Sequence, residues 1–176
     1  MDRGLLIVLS GPSGVGKGTV RKNRKIEINV PAGIDNGQAI PLRGEGDAGL
    51  KGGPNGDIYI EFNVKKHELF QRDEEDIYLE VPVTITEAVL GCKKDVPTIS
   101  GVVSVDIKAG IQNGSKLKLK GKGIKVPNSL RKGDMYLIIN VIIPTKLDRK
   151  QKQLFKDLSK TDLDESSEFK KFNKYI

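Results

Sequence analysis

The sequence predicts an all-β chain closed by a C-terminal helix, and three observations point there. The chain repeats itself at an offset of 77 residues, apolar and polar residues alternate through both copies, and beyond Pro144 the alternation gives way to apolar spacings of three and four. Over positions 26–46 and 56–64, 13 of 30 residues are identical to those 77 positions later, where chance would leave about two. Ala32, Gly33, Ile34, Asn36 and Gly37 recur as Ala109, Gly110, Ile111, Asn113 and Gly114. Leu42, Gly44 and Gly46 recur as Leu119, Gly121 and Gly123, and Gly56, Asp57, Tyr59, Asn63 and Val64 as Gly133, Asp134, Tyr136, Asn140 and Val141.

Each copy reads as a β-meander. Ile26, Ile28 and Val30 alternate with Glu27 and Asn29, and Val103, Val105 and Ile107 repeat the pattern, which is the period of a half-buried strand. Asn36-Gly37 and Asn113-Gly114 follow, a dipeptide suited to the positive φ of tight turns. A second strand, clearest at 117–120, ends at paired glycines, and 58–64 and 135–143 supply a third after a Gly/Pro/Asn-rich loop. Extra elements open the second copy. These are a strand at 77–83, where Pro82 suggests an edge or bulge, and a helical turn at 86–91 with Thr86 as cap and Gly91 as stop. A segment at 96–99 then runs into a turn at Ser100-Gly101.

Subtracting 77 from that opening stretch lands on residues 1–22, which look nothing like it. The first copy has therefore lost its opening strand and turn, or had them replaced. Residues 5–9 are continuously apolar and partly β-branched, which suits a strand. They are expected to pair into the first unit as a substitute, opposite 82–86 by the repeat offset. Past Pro144, Leu147, Leu154, Phe155 and Leu158 share one face of a helix, packed either on its own β unit or on a second chain. Residues 161–176 are polar with scattered aromatics and read as a loose tail. The expected division is 1–22, a first β unit at 23–66, a second at 67–145, a helix at 146–160 and the tail at 161–176.

Composition excludes several classes of function. The net charge is +7, but no run of Lys and Arg is interleaved with aromatics as a single-strand nucleic-acid binder needs, so no nucleic-acid partner is expected. One cysteine, Cys92, and one histidine, His67, make neither a disulfide nor a four-ligand zinc set, and no catalytic pairing. Residues 5–9 are too short to span a bilayer and lack the pattern of a signal peptide. No membrane partner is expected, and the cytoplasm is the expected compartment.

Several runs together resemble one family. They are 29–37 (Asn-Val-Pro-Ala-Gly-Ile-Asp-Asn-Gly), Leu42-Arg43-Gly44-Glu45-Gly46, Gly56-Asp57-Ile58-Tyr59 and Phe70-Gln71-Arg72-Asp73. To these add Ala88-Val89-Leu90-Gly91, Val96-Pro97-Thr98, 119–123 (Leu-Lys-Gly-Lys-Gly) and Gly133-Asp134-Met135-Tyr136. In order and without large gaps over about 16–160, they resemble the C-terminal region of DnaJ-type co-chaperones. The resemblance implies two tandem β-sandwich-like client-binding domains, the first truncated here, followed by a dimerisation helix. It further implies that unfolded client polypeptide is held and passed to a DnaK-type chaperone, so the chain is not an enzyme.

In the family an extended client segment adds to a strand of the first domain and drops an apolar side chain into a pocket. The matching positions are Ile26, Ile28, Ile60 and Phe62, and those matching the homodimer helix are Leu154, Phe155 and Leu158. Departures matter equally. The sequence has no His-Pro-Asp motif, no Gly/Phe-rich linker and no Cys-x-x-Cys-x-Gly-x-Gly repeats. With the zinc module and its cysteines absent, no cofactor is expected, and neither is stimulation of a partner's ATPase.

A second resemblance sits at the N-terminus. Residues 4–19 look like the start of a bacterial guanylate kinase, with an apolar strand running into a glycine-rich loop and a lysine. On that alternative reading Gly11, Gly14 and Gly16 let backbone amides approach phosphate, Lys17 reaches its outer oxygens, and Thr19 stands one residue late for Mg²⁺. Nothing after residue 19 continues a kinase, and Gly16-Lys17-Gly18-Thr19 also fits the end of the last DnaJ zinc motif. The expectation is a chimera joined across that tetrapeptide, with the nucleotide-binding reading as the alternative function.

Overall fold

The alternating residues of 70–142 build the centre of the molecule, a four-stranded sheet in the computed structural model, which describes residues 5–9, 24–127, 129–163 and 166–175. Its strands are β5 (Phe70–Asp73), β6 (Asp76–Thr84), β9 (Lys116–Leu119) and β10 (Met135–Ile142), in the order β5-β6-β10-β9. β6 and β10 run parallel, Leu79 beside Leu137, and the other neighbours are antiparallel. Three antiparallel ribbons complete the strands. They are β1 (Leu5–Leu9) with β2 (Arg24–Ile28), β3 (Ala39–Leu42) with β4 (Ile58–Glu61), and β7 (Cys92–Thr98) with β8 (Gly101–Ile107).

Alternation decides which side of the sheet is dry. Ile77, Leu79, Val81 and Val83 of β6 meet Met135, Leu137 and Ile139 of β10, and Val96, Ile107 and Ala88 cover them from the β7–β8 ribbon and helix α1 (Ile85–Leu90). Tyr78 and Tyr136 point to the other face and stack at 5.2 Å. The cap of α1 lies two residues before the expected one, at Thr84 rather than Thr86. The Thr84 side chain accepts from the Glu87 amide while the Glu87 carboxylate accepts from the Thr84 amide, a reciprocal capping box. Gly91 ends the helix as expected. Pro82 sits opposite Asn140, where β6 has run past the last β5 pair at Leu79, so its missing amide faces a locally open edge.

The repeat is visible bond by bond. Gly37 donates to the Phe62 carbonyl as Gly114 does to Ile139, both at 2.8 Å, and Gly46 donates to Gly56 as Gly123 does to Gly133. The Asn36 side chain accepts from the Val64 amide, and Asn113 accepts from that of Val141. The Asp57 carboxylate accepts from Gly44 N–H at 2.9 Å, and Asp134 accepts from Gly121 N–H at 2.7 Å. Leu42 faces Ile58 as Leu119 faces Met135. Identical residues at 77-residue spacing thus serve identical turns and one shared register.

β1 pairs with β2 as expected, but not in the expected place. Ile7 faces Ile26, and the residue equivalent to Ile26 is Val103, whose partner is Val96 of β7. β1 therefore occupies the position of β7 and not that of 82–86 in β6. The C-terminal region also differs from expectation. α2 (Arg149–Leu158) carries an Asp148/Gln151 capping box, and 161–176, read as a loose tail, contains helix α3 (Ser167–Phe172) capped by Ser166. Ser, Glu and Phe in that order supply a cap and a helix-compatible run that polarity by itself conceals.

Candidate functional site

The predicted client-contact residues fall on the β1–β2 and β3–β4 ribbons. Ile28 closes β2 and is buried, Ile60 lies on β4 and is buried, and Phe62, just past β4, is half-buried. Ile26 lies on β2 in register with Ile7. Neither Ile28 nor Ile60 belongs to the main core cluster, which is assembled from residues between Phe70 and Val141. Ile28 and Ile60 are the buried apolar residues of the first unit among those described.

Comparison of equivalent positions shows how much less of the first unit is covered. Leu137 and Ile139, the partners of Ile60 and Phe62 in the repeat, are each 1% exposed. Tyr136 stacks on Tyr78, whereas its equivalent Tyr59 is 71% exposed. Val141 packs against the core, whereas Val64 is 41% exposed. Every difference lies beside β4, where the sheet of the second unit has β6 and the first has no strand among the described residues. Apolar surface is therefore left over along residues 59–64.

Arg72 ties the two units together, a role its side chain carries through contacts 38 and 39 residues away that no local pattern announces. Its guanidinium donates to the carbonyls of Ile34 and Gly33 at 2.8 Å and to that of Glu74 at 2.7 Å, with the Asp35 carboxylate at 3.4 Å. A cleft of about 300 Å³ lies between Gly33, Arg72 and Ile124, with Asp35, Glu75 and Val126 also on its walls. On the outer face, Lys118 pairs with Asp134 at 2.6 Å and lies over Tyr136. The Lys118 ammonium, and next the Gly121 amide, hold the Asp134 carboxyl below its ordinary range, and the same contact raises Lys118.

On the helix, Leu154 is 61% exposed, Leu158 is exposed and Phe155 is half-buried. These three share a stripe at spacings of three and four that the β units do not cover. His67 packs on Phe70 at 4.8 Å and accepts backbone amides, and Cys92 is packed against the core edge. Gly11, Gly14, Gly16, Lys17 and Thr19 lie outside the described residues. Among the described residues no cluster of His, Cys, Asp and Glu could hold a metal, and no helix is long and apolar enough to cross a membrane.

Comparison with known proteins bears on the whole chain. The family model described as DnaJ C terminal domain matches residues 9–144. A relative called chaperone protein DnaJ from Acetivibrio thermocellus is 46% identical over 161 residues, 90% of this chain and 42% of that protein. Another of the same name, from Halalkalibacterium halodurans, is 48% identical over 144 residues, 82% of this chain and 39% of that protein. The chain thus spans about two fifths of the length of these curated relatives. The guanylate kinase resemblance finds no support. The family match starts at residue 9 and takes in the whole glycine-rich stretch assigned to the kinase, so neither a chimera nor a nucleotide site is carried further. From its matched span and its identity to these relatives, the chain belongs to the DnaJ C-terminal domain family.

Proposed function

We propose that this chain is a co-chaperone segment that holds unfolded polypeptide in the cytoplasm for transfer to a DnaK-type chaperone. It acts as two tandem client-binding β domains, a truncated one at 23–66 and a complete one at 67–145. The observation that carries the reading is the under-covered apolar strip of the first unit, where Phe62 stays half-buried while its equivalent Ile139 is sealed. Ile60 is buried on β4 within that run and Ile28 is buried at the end of β2, and with Ile26 they are the other contacts of this reading. The activity is binding without chemistry. It uses no zinc, because one Cys and one His do not make a four-ligand set.

Stoichiometric chain is expected to suppress light scattering by a chemically denatured client. Burying a Phe side chain contributes about 1.5–3 kcal/mol, so Phe62→Ser should weaken suppression about tenfold without changing the far-ultraviolet circular dichroism. Wild-type chain that leaves scattering unchanged at several-fold excess removes the client-holding reading.

The helix at 146–160 is the dimerisation element in this reading, supported by the exposed Leu154 and Leu158 beside Phe155. Wild-type chain is expected to run as a dimer in light scattering, and Leu154→Ala with Phe155→Ala as a monomer. Truncating each large side chain buried at an interface costs about 2–5 kcal/mol. A double variant that keeps dimeric mass excludes this face.

A further inference from the structure

We infer that Asn55 is a site of spontaneous deamidation, closing with Gly56 to a succinimide that water opens to aspartyl and isoaspartyl products, while the fold shields two other Asn-Gly pairs. The sequence contains three such pairs, at 36–37, 55–56 and 113–114. Glycine favours the reaction because the attacking nitrogen belongs to the residue after Asn, and glycine has no Cβ to crowd it. That nitrogen bonds to the Asn Cγ and the Cγ–Nδ2 bond breaks. The side-chain nitrogen leaves as ammonia, carrying the proton of the glycine amide, and water then adds at either imide carbonyl.

Two groups must be free for the ring to close. The Asn side chain has to swing onto its own main chain, and the glycine N–H has to surrender its proton. At Asn36 and Asn113 both groups are held by strand ends. Asn36 Oδ1 accepts from the Val64 amide at 3.1 Å, and Asn113 Oδ1 from the Val141 amide at 2.9 Å. Gly37 and Gly114 donate to the carbonyls of Phe62 and Ile139, both at 2.8 Å. Freeing either pair means opening the end of the β3–β4 or the β9–β10 pairing.

Asn55 is held through the departing nitrogen, its Nδ2 donating to the Gly44 carbonyl at 3.2 Å. Gly56 N–H donates to the Asp47 carbonyl at 2.9 Å, within a loop whose residues 51–57 are all exposed. Exposed loops open at far lower free energy than strand pairs. A tenfold difference in rate needs about 1.4 kcal/mol more opening free energy at the strand sites.

The product changes one unit of the repeat. A carboxylate at position 55 cannot donate to Gly44, and an isoaspartyl link lengthens the main chain just before Gly56, which accepts from Gly46 at 2.8 Å. The second copy has Lys132-Gly133 at the equivalent place and is spared.

The test keeps the full chain in mildly alkaline buffer, digests it at low pH and maps the peptides by mass spectrometry. Acid in place of amide should accumulate at Asn55 about tenfold or more faster than at Asn36 or Asn113. In urea the three rates should converge, because the fold no longer separates them. Gly56→Ala isolates the chemistry. Gly56 has no left-handed φ, and an added methyl meets only the Asp47 carbonyl at 3.9 Å, so the variant should fold like the wild type and lose the Asn55 modification. Equal rates at the three sites in the folded chain, a lead for Asn36 or Asn113, or an Asn55 lead that persists undiminished in urea each overturns the inference. Modification of Gly56→Ala at the wild-type rate overturns the succinimide route.

Discussion

Leu137→Ala should destabilise the second unit by about 2–5 kcal/mol, and Ile60→Ala, the equivalent change in the first unit, should cost distinctly less. Both remove similar side chains from equivalent positions of one repeated strand, so transfer free energy by itself predicts similar losses. The surroundings differ. Leu137 is flanked by Leu79 on β6 and Leu117 on β9, and it lies at 1% exposure inside a cluster sealed by Val96, Ile107 and Ala88. A cavity there has rigid walls on every side, and the cost of a large-to-small change grows with the cavity that remains. Ile60 is 6% exposed and, among the described residues, its strand pairs only with β3, so its surroundings are less closed. Urea denaturation of the two variants, compared at their midpoints, decides the matter. Equal losses would mean that the first unit is as closed as the second, and would remove the structural basis for client contact along residues 59–64.

Gly33→Ala is the second large effect, and the molecule contains its own control. Gly33 and Gly110 occupy equivalent turns with φ of +92° and +76°, where a side chain costs about 1–2 kcal/mol. At Gly110 an added methyl meets nothing within 4 Å, whereas at Gly33 it runs into the carbonyl of Lys125. The turn cannot retreat freely, because Arg72 holds the Gly33 and Ile34 carbonyls at 2.8 Å. Gly110→Ala is therefore expected to cost only the backbone term, and Gly33→Ala about 3 kcal/mol or more. It should also detach the first unit from the second, read as faster hydrogen exchange at the Arg72 guanidinium. Indistinguishable midpoints for the two variants would show that the Gly33–Lys125 contact does not hold the units together.

Much of the architecture was legible from residues. The Asn-Gly turns, the glycine pairs ending the second strands and the Asp57/Asp134 positions all recur at one spacing, and each performs the same hydrogen bond twice. The turns follow from local φ preferences, and the Asp carboxylate reaches a glycine amide 13 residues away in each copy because the same meander brings the two together. The α1 cap was misplaced by two residues because Thr84 and Thr86 are both plausible caps, and only the reciprocal Glu87 contact separates them. β5 appeared only as a family motif, since Phe70-Gln71-Arg72-Asp73 alternates over too few residues to announce a strand. The Arg72 contacts join residues 38 and 39 positions apart, beyond any local rule.

The candidate site divides along the same line. By itself the sequence determined the repeat and the turns that recur in each copy, because side-chain alternation and turn chemistry are written residue by residue. Only the tertiary structure decided which lane β1 would take. Residues 5–9 are apolar throughout and would suit several places in a sheet, and the choice among edges depends on what else is paired. It placed β1 against β2, in the position of β7, and β4 has one neighbour among the described residues. The burial of Ile28 and Ile60, and the exposure of Tyr59 and Val64, follow from that choice, since burial belongs to what packs over a residue and not to the residue itself.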